Sequence, residues 1–114
     1  MKDTLFILRP GFFKDADGPF YCGDSVAVEG LLSFFPQLRD AIHVEYVDAP
    51  RPRQPIVALI GEPNQSAPVL VLGQARVPTD GAIDVKESNG RRFIDAPADI
   101  RRYLSSQYGV AHVA

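Results

Sequence analysis

The sequence predicts an α/β domain, and three observations carry that prediction. Thr4 to Leu8 and Pro68 to Leu72 are short continuous apolar runs, closed by Arg9-Pro10-Gly11 and by Gly73, the pattern of strands buried on both faces. From Ser25 to Phe35 the polar residues Ser25, Glu29 and Ser33 fall four apart, which leaves the wide apolar face of a helix lying over a sheet. His43 to Asp48 then alternates with period two. Strand, helix and strand in this length make a right-handed βαβ unit with its two strands parallel.

Taken in order, the first strand, Thr4 to Leu8, begins almost at the first residue. Gly11 to Tyr21 is rich in Gly, Asp and Phe and reads as a long loop, with Phe12, Phe13 and Phe20 as anchors pinning it to the core. Asp24 and Ser25 are helix-capping residue types, so the first helix should start beside them, and Pro36 ends it. Ala49 to Pro55 must be extended, because each residue before a proline is pushed away from helical dihedrals. Ile56 to Ile60 fits a strand by its β-branched content and a short helix by Pro55 ahead of it and Gly61 behind it. Glu62 to Ala67 is a turn-rich connection into the third strand, where Pro68 occupies a first position that tolerates a missing N–H. Gln74 to Asp84 is a second long loop. Asn89-Gly90 marks a two-residue hairpin turn, with Arg91 to Ile94 as the returning strand. Asp95-Ala96-Pro97 opens a last helix with the apolar stripe Ile100, Tyr103, Leu104 and Tyr108, Gly109 stops it, and the final five residues read as a frayed tail.

At 114 residues the chain has the length of a single domain, 1–114, able to bury about two-thirds of its unfolded surface. Apolar content of 46% and charged content of 23% are those of an ordinary globular protein. The formal charge of −2 provides no excess of cations for a phosphate backbone, so no nucleic acid is expected as a partner. The first residues carry too short an apolar run for a signal peptide, and no stretch approaches the ~18 apolar residues of a membrane span. A cytoplasmic protein without a membrane partner is expected. His43 and His112 lie far apart with no second cysteine beside them, so no metal site is indicated.

The chemistry concentrates in Phe20-Tyr21-Cys22-Gly23-Asp24-Ser25, which holds the only cysteine. A thiol within a residue or two of a helix start meets unpaired N–H groups and the positive end of the helix dipole, which favour the thiolate. The competing reading is a small buried residue that never reacts, since free cysteines are among the most buried residue types.

The element order, β-α-β-α-β-β-α with the cysteine at the first strand-to-helix junction and a proline opening the third strand, is that of the thioredoxin fold. Cys22-Gly23-Asp24-Ser25 resembles the C-x-x-S variant of the redox motif, and Ser66-Ala67-Pro68-Val69-Leu70 resembles the cis-proline turn before the third strand. Phe93 to Leu104 is similar to the strand-to-helix segment of glutathione-transferase N-terminal domains. The combined run of Arg9-Pro10-Gly11-Phe12, Tyr21-Cys22, Glu29-Gly30-Leu31-Leu32, Arg51-Pro52-Arg53 and Gly61-Glu62 resembles a small bacterial thioredoxin-like family of unknown function. The resemblance implies a four-stranded mixed sheet in the order 2-1-3-4, the third strand antiparallel to its neighbours, and helices 25–35 and 97–108 on one face. It also implies a cis bond at Ala67-Pro68.

For function it implies a monothiol thiol–disulfide oxidoreductase. Cys22 and Ser25 are the catalytic candidates, Ser25 as a donor to the thiolate. Ala67 and Pro68 form a substrate ledge, and Arg51 or Arg53 holds a substrate carboxylate. No resident cofactor is implied, glutathione being a co-substrate and a small or protein thiol the partner. Three departures bear on this. No resolving cysteine is present, so exchange must be intermolecular. Asp24 places negative charge beside the sulfur. Ala96 and Pro97 stand where transferase domains use an acidic residue and a serine to grip the γ-glutamyl carboxylate. The alternative implied by the same fold is a non-catalytic thioredoxin-like binding module, a homodimer included.

Overall fold

The computed structural model describes residues 1–114. Its centre is strand β1 (Thr4–Leu8), all five residues of which are buried. A strand sends alternate side chains to opposite faces, and β1 is covered on both. Leu5 and Ile7 enter one apolar cluster, while Phe6 and Leu8 enter another. That is why the run is apolar without alternation. Strand β5 (Val69–Val71) repeats the arrangement, with Leu70 and Leu72 on the first face and Val69 and Val71 on the second.

The first face is covered by helix α1 (Gly23–Phe34), the short helix α2 (Gln37–Ala41) and helix α4 (Pro97–Tyr108). They contribute Val28, Leu32, Leu38, Ile100, Tyr103 and Leu104 to that cluster. The second face is covered by helix α3 (Gln54–Ile60), through Ile56 and Ile60. Pro55 stands in its first turn, where a proline costs no hydrogen bond, and Gly61 at φ 87° closes it. The open choice at 56–60 therefore resolves as a helix. None of these buried helix side chains has exposed surface, and the aliphatic ones each contribute about 1.5–3 kcal/mol by leaving water.

Strand β4 (His43–Val47) pairs parallel with β1 in the register Thr4 to His43 through Leu8 to Val47. Strand β5 is antiparallel both to β1 and to strand β7 (Arg91–Ile94). The expected four-stranded sheet in the order 2-1-3-4 requires correction. The sheet has five strands in the order β4-β1-β5-β7-β6, because β6 (Lys86–Ser88), the outgoing arm of the Asn89-Gly90 hairpin, pairs fully with β7 and forms an edge.

The loop expected over 11–21 is instead a hairpin, β2 (Phe12–Lys14) and β3 (Asp17–Phe20), standing as its own two-stranded sheet. Asp15 makes the turn at φ 55°, a conformation that Asp tolerates better than most residues. Of the three phenylalanines expected as anchors only Phe12 packs on the core, since Phe13 is 60% and Phe20 39% exposed. The C-terminal tail also differs from expectation. Val110 is buried in the first cluster and Ser105 Oγ donates to the Ala111 carbonyl at 2.9 Å.

The peptide bond at Ala67-Pro68 is cis, as are Gly18-Pro19 and Arg51-Pro52. Gly109 closes α4 in the left-handed conformation at φ 70°. No helix is long and apolar enough to cross a membrane.

Candidate functional site

Cys22 is the N-cap of α1. Its backbone is extended and its carbonyl accepts the first helical bond, from Val26, at 3.0 Å. The expectation that Asp24 and Ser25 cap this helix is corrected. The helix begins at Gly23, both lie inside its first turn, and no side chain caps it. Cys22 is partly exposed. Its Sγ lies 3.9 Å from the carbonyl oxygen of Ala67, within reach of a weak S–H donor. The hairpin β2–β3 ends at Phe20 and delivers the chain to this point. The segment before β5 brings Ala67 and Pro68 to the same place from the other side of β1.

Ser25 makes no hydrogen bond to the sulfur. Its side chain is buried, and its Oγ accepts a hydrogen bond at 3.0 Å from the amide of Leu8, the last residue of β1. The amide of Leu8 has no strand partner there, so a hydroxyl one turn into α1 satisfies it. Ser25 thus has a structural role as an acceptor, and its own O–H makes no hydrogen bond to Cys22 Sγ. Cys22 and Ser25 nevertheless line one cavity of about 160 Å³ with Leu8, Pro10, Tyr21, Glu29 and Tyr46. That volume is below the roughly 300–1,000 Å³ of a small-molecule pocket, so any exchange partner must reach the sulfur from the open side. At the rim, Tyr46 donates to the Glu29 carboxylate at 2.6 Å, and Arg39 donates to it at 3.2 Å. Burial first, and then this bond, push the Tyr46 phenol above the usual tyrosine range.

The two arginines separate. Arg51 is exposed and lines no cleft. Arg53 lines a neighbouring groove with Arg9 and Asp48, outside the cavity that holds Cys22. Its Nε donates to the Ala49 carbonyl at 3.0 Å and its Nη1 to the Gln65 carbonyl at 2.7 Å, while its own amide donates to Gln65 Oε1 at 2.7 Å. Gln65 is itself buried and its Nε2 donates to the Glu62 carbonyl, so the guanidinium is held by a chain of bonds rooted in the turn before β5. Burial, and then the charge of Arg51, hold Arg53 below the usual arginine range, while proximity to Cys22 works in the opposite direction.

A second polar centre was not legible in the sequence. Asp3 is fully buried, and its carboxylate accepts bonds from the Gly73 amide at 2.7 Å, from Tyr108 at 2.6 Å and from Tyr103. Arg76 Nε lies 3.7 Å away. The sequence placed both tyrosines in an apolar stripe. Their helical spacing gave no sign of a carboxylate a hundred residues upstream, although a phenol on a buried face always needs a partner. Nowhere do three His, Cys, Asp or Glu side chains come together as a metal site would require. At the start of α4 no side chain caps Ala96, and Pro97 opens the helix.

The chain belongs to the DUF3088 family, described as a protein of unknown function, whose model matches residues 2–112. No curated protein and no solved structure matches it.

Proposed function

We propose that this DUF3088 chain is a thioredoxin-like protein that carries out monothiol thiol–disulfide exchange at Cys22. The observation that carries the reading is the approach of Cys22 Sγ to the Ala67 carbonyl, two groups 45 residues apart, at the uncapped start of a twelve-residue helix. The Arg53 guanidinium adds a positive charge near that sulfur.

In the first step the Cys22 thiolate attacks one sulfur of an external disulfide, such as oxidised glutathione. A Cys22 mixed disulfide forms, and the second sulfur leaves as a thiolate. The backbone of Ala67, beside Pro68, supports the bound substrate. In the second step an external thiolate attacks the substrate sulfur of the mixed disulfide, which forms a new disulfide and returns Cys22 to its starting state. The chain contains no second cysteine, so the first step needs an external disulfide and the second an external thiol. No resident cofactor takes part, and a cytoplasmic setting would supply the thiol.

The test is intact-mass analysis after incubation with oxidised glutathione. One adduct is expected on the wild type, reversed by reduced glutathione, and none on Cys22→Ser, with the far-ultraviolet dichroism of that variant unchanged. A wild-type thiol that forms no adduct, or forms one no faster than free cysteine, defeats the reading.

A second reading, a non-catalytic binding module, is favoured by Phe34, which is 83% exposed on α1 beside a cleft of about 500 Å³ lined by Gly30, Leu31 and Val113. It requires a partner or second copy on that face. Light scattering on the wild type and Phe34→Asp distinguishes a dimer from a monomer.

A further inference from the structure

The largest cleft in the molecule does not contain Cys22. It is a groove of about 780 Å³ between the β2–β3 hairpin and residues 48–53, a size within the ~300–1,000 Å³ of small-molecule sites. It opens beyond the carboxyl ends of the parallel strands β1 and β4, where open α/β sheets place their ligands.

Its charges set it apart from the rest of the chain. The protein as a whole carries −2, yet Arg9, Lys14 and Arg53 line this groove against the single carboxylate of Asp48. Asp48 is already bound to Arg9 at 2.9 Å. Asp15 and Asp17, on the same hairpin, do not line the groove. Lys14 is held 5.6 Å above the Phe20 ring and has no carboxylate partner. Arg53 has none either. It is a partly buried cation fixed by two backbone carbonyls, and its Nη2 edge bonds to nothing in the chain. Burying a charge without a counter-charge is costly, and a fixed fork of N–H donors suits a planar acid group.

The remaining lining is flat and apolar: Pro10, Phe12, Phe13 and Pro50. Phe13 is 60% exposed, an aromatic ring that faces water instead of the core.

We infer that this groove binds a small organic anion, its acid group held by Arg53 and Lys14 and its flat apolar body lying against Phe12 and Phe13. The site needs neither the thiol of Cys22 nor its exchange chemistry.

The test is a titration of the nitrogen-15-labelled protein followed by its amide shifts. Naphthoate and adenosine monophosphate serve as flat-bodied acids, and naphthalenemethanol, adenosine and inorganic phosphate as their separate halves. At least one acid should saturate with shifts confined to residues 9–14 and 48–53, and each half should bind about tenfold more weakly. Which acid saturates identifies the group as a carboxylate or a phosphate. Lys14→Gln and Phe13→Ala change exposed side chains, so the sheet resonances should stay in place while affinity for that acid falls about three- to tenfold. The inference is overturned if neither acid saturates, if the shifts map to the cleft between α1 and α4, if a neutral half binds as tightly as its acid, or if phosphate alone does.

Discussion

The carboxylate of Asp3 accepts a hydrogen bond at 2.7 Å from the amide of Gly73, joining the residue before β1 to the second residue beyond β5. The same carboxylate receives the hydroxyls of Tyr103 and Tyr108 from α4, and it has no exposed surface. One side chain thus ties the central strand pair to the last helix. Asp3→Ala leaves two buried donors and one partly buried donor without their acceptor and should cost about 3–5 kcal/mol. Asp3→Asn keeps one acceptor oxygen, and the phenols can rotate, so about 1–2 kcal/mol is expected. Urea denaturation of the two variants checks both values, and equal losses would show that the contribution is one of packing alone.

The same centre sets a pH limit. Burial first, and then the bond to Asp3, push the phenols of Tyr103 and Tyr108 far above the usual tyrosine range. In the unfolded chain they ionise near pH 10, so above that value the unfolded state holds fewer protons than the native state. The stability they contribute is fully present below about pH 10 and falls as pH rises further. Chemical denaturation between pH 8 and about 11.5 should show this decline, and phenolate absorbance from these two residues should appear only with unfolding. Smooth ionisation of all four tyrosines in a chain that stays folded would contradict it.

Gly73 is constrained by its neighbour as well as by its hydrogen bond. A β-carbon there would collide with the carbonyl oxygen of Met1, which is backbone and cannot swing aside. Gly73→Ala should therefore cost about 1–3 kcal/mol by displacing the N-terminal segment and with it Asp3. A melting temperature within about one degree of wild type would mean that the segment moves freely.

Ser25→Ala separates structure from chemistry at the cysteine. The buried amide of Leu8 loses its only acceptor, so stability should fall by about 1–2 kcal/mol. Alkylation of Cys22 by iodoacetamide should change by less than about twofold, because Ser25 Oγ is engaged with Leu8 and not with the sulfur. A large drop in alkylation rate with unchanged stability would restore the serine as the partner of the thiolate.

The layers of this protein were legible in its residues, for reasons of local physics. Four consecutive apolar residues at 5–8 need cover on both faces, and the polar spacing of 25–35 demands a helix to supply it. Asn89-Gly90 adopts positive φ at both positions, as a two-residue hairpin turn requires, and Gly109 ends its helix the same way. Cys22 at a helix start and Ala67-Pro68 at the mouth of a strand were also visible from order alone. Tertiary structure decided what those side chains touch. Residues 11–21 pair as a hairpin around Asp15, although Asp15-Ala16 is not a strong turn dipeptide and Phe13 faces water. Ser25 looks like a redox partner in sequence, yet its oxygen accepts the amide of Leu8, 17 residues away. Arg51 and Arg53 are alike in sequence, and only the carbonyls of Ala49 and Gln65 hold one of them, Arg53, in place. Asp3 carries no local signal, because its partners lie 70, 100 and 105 residues along the chain. Periodicity and turn chemistry act over a few residues and so determine elements; the pairing of buried polar groups depends on contacts that exist only once those elements have packed.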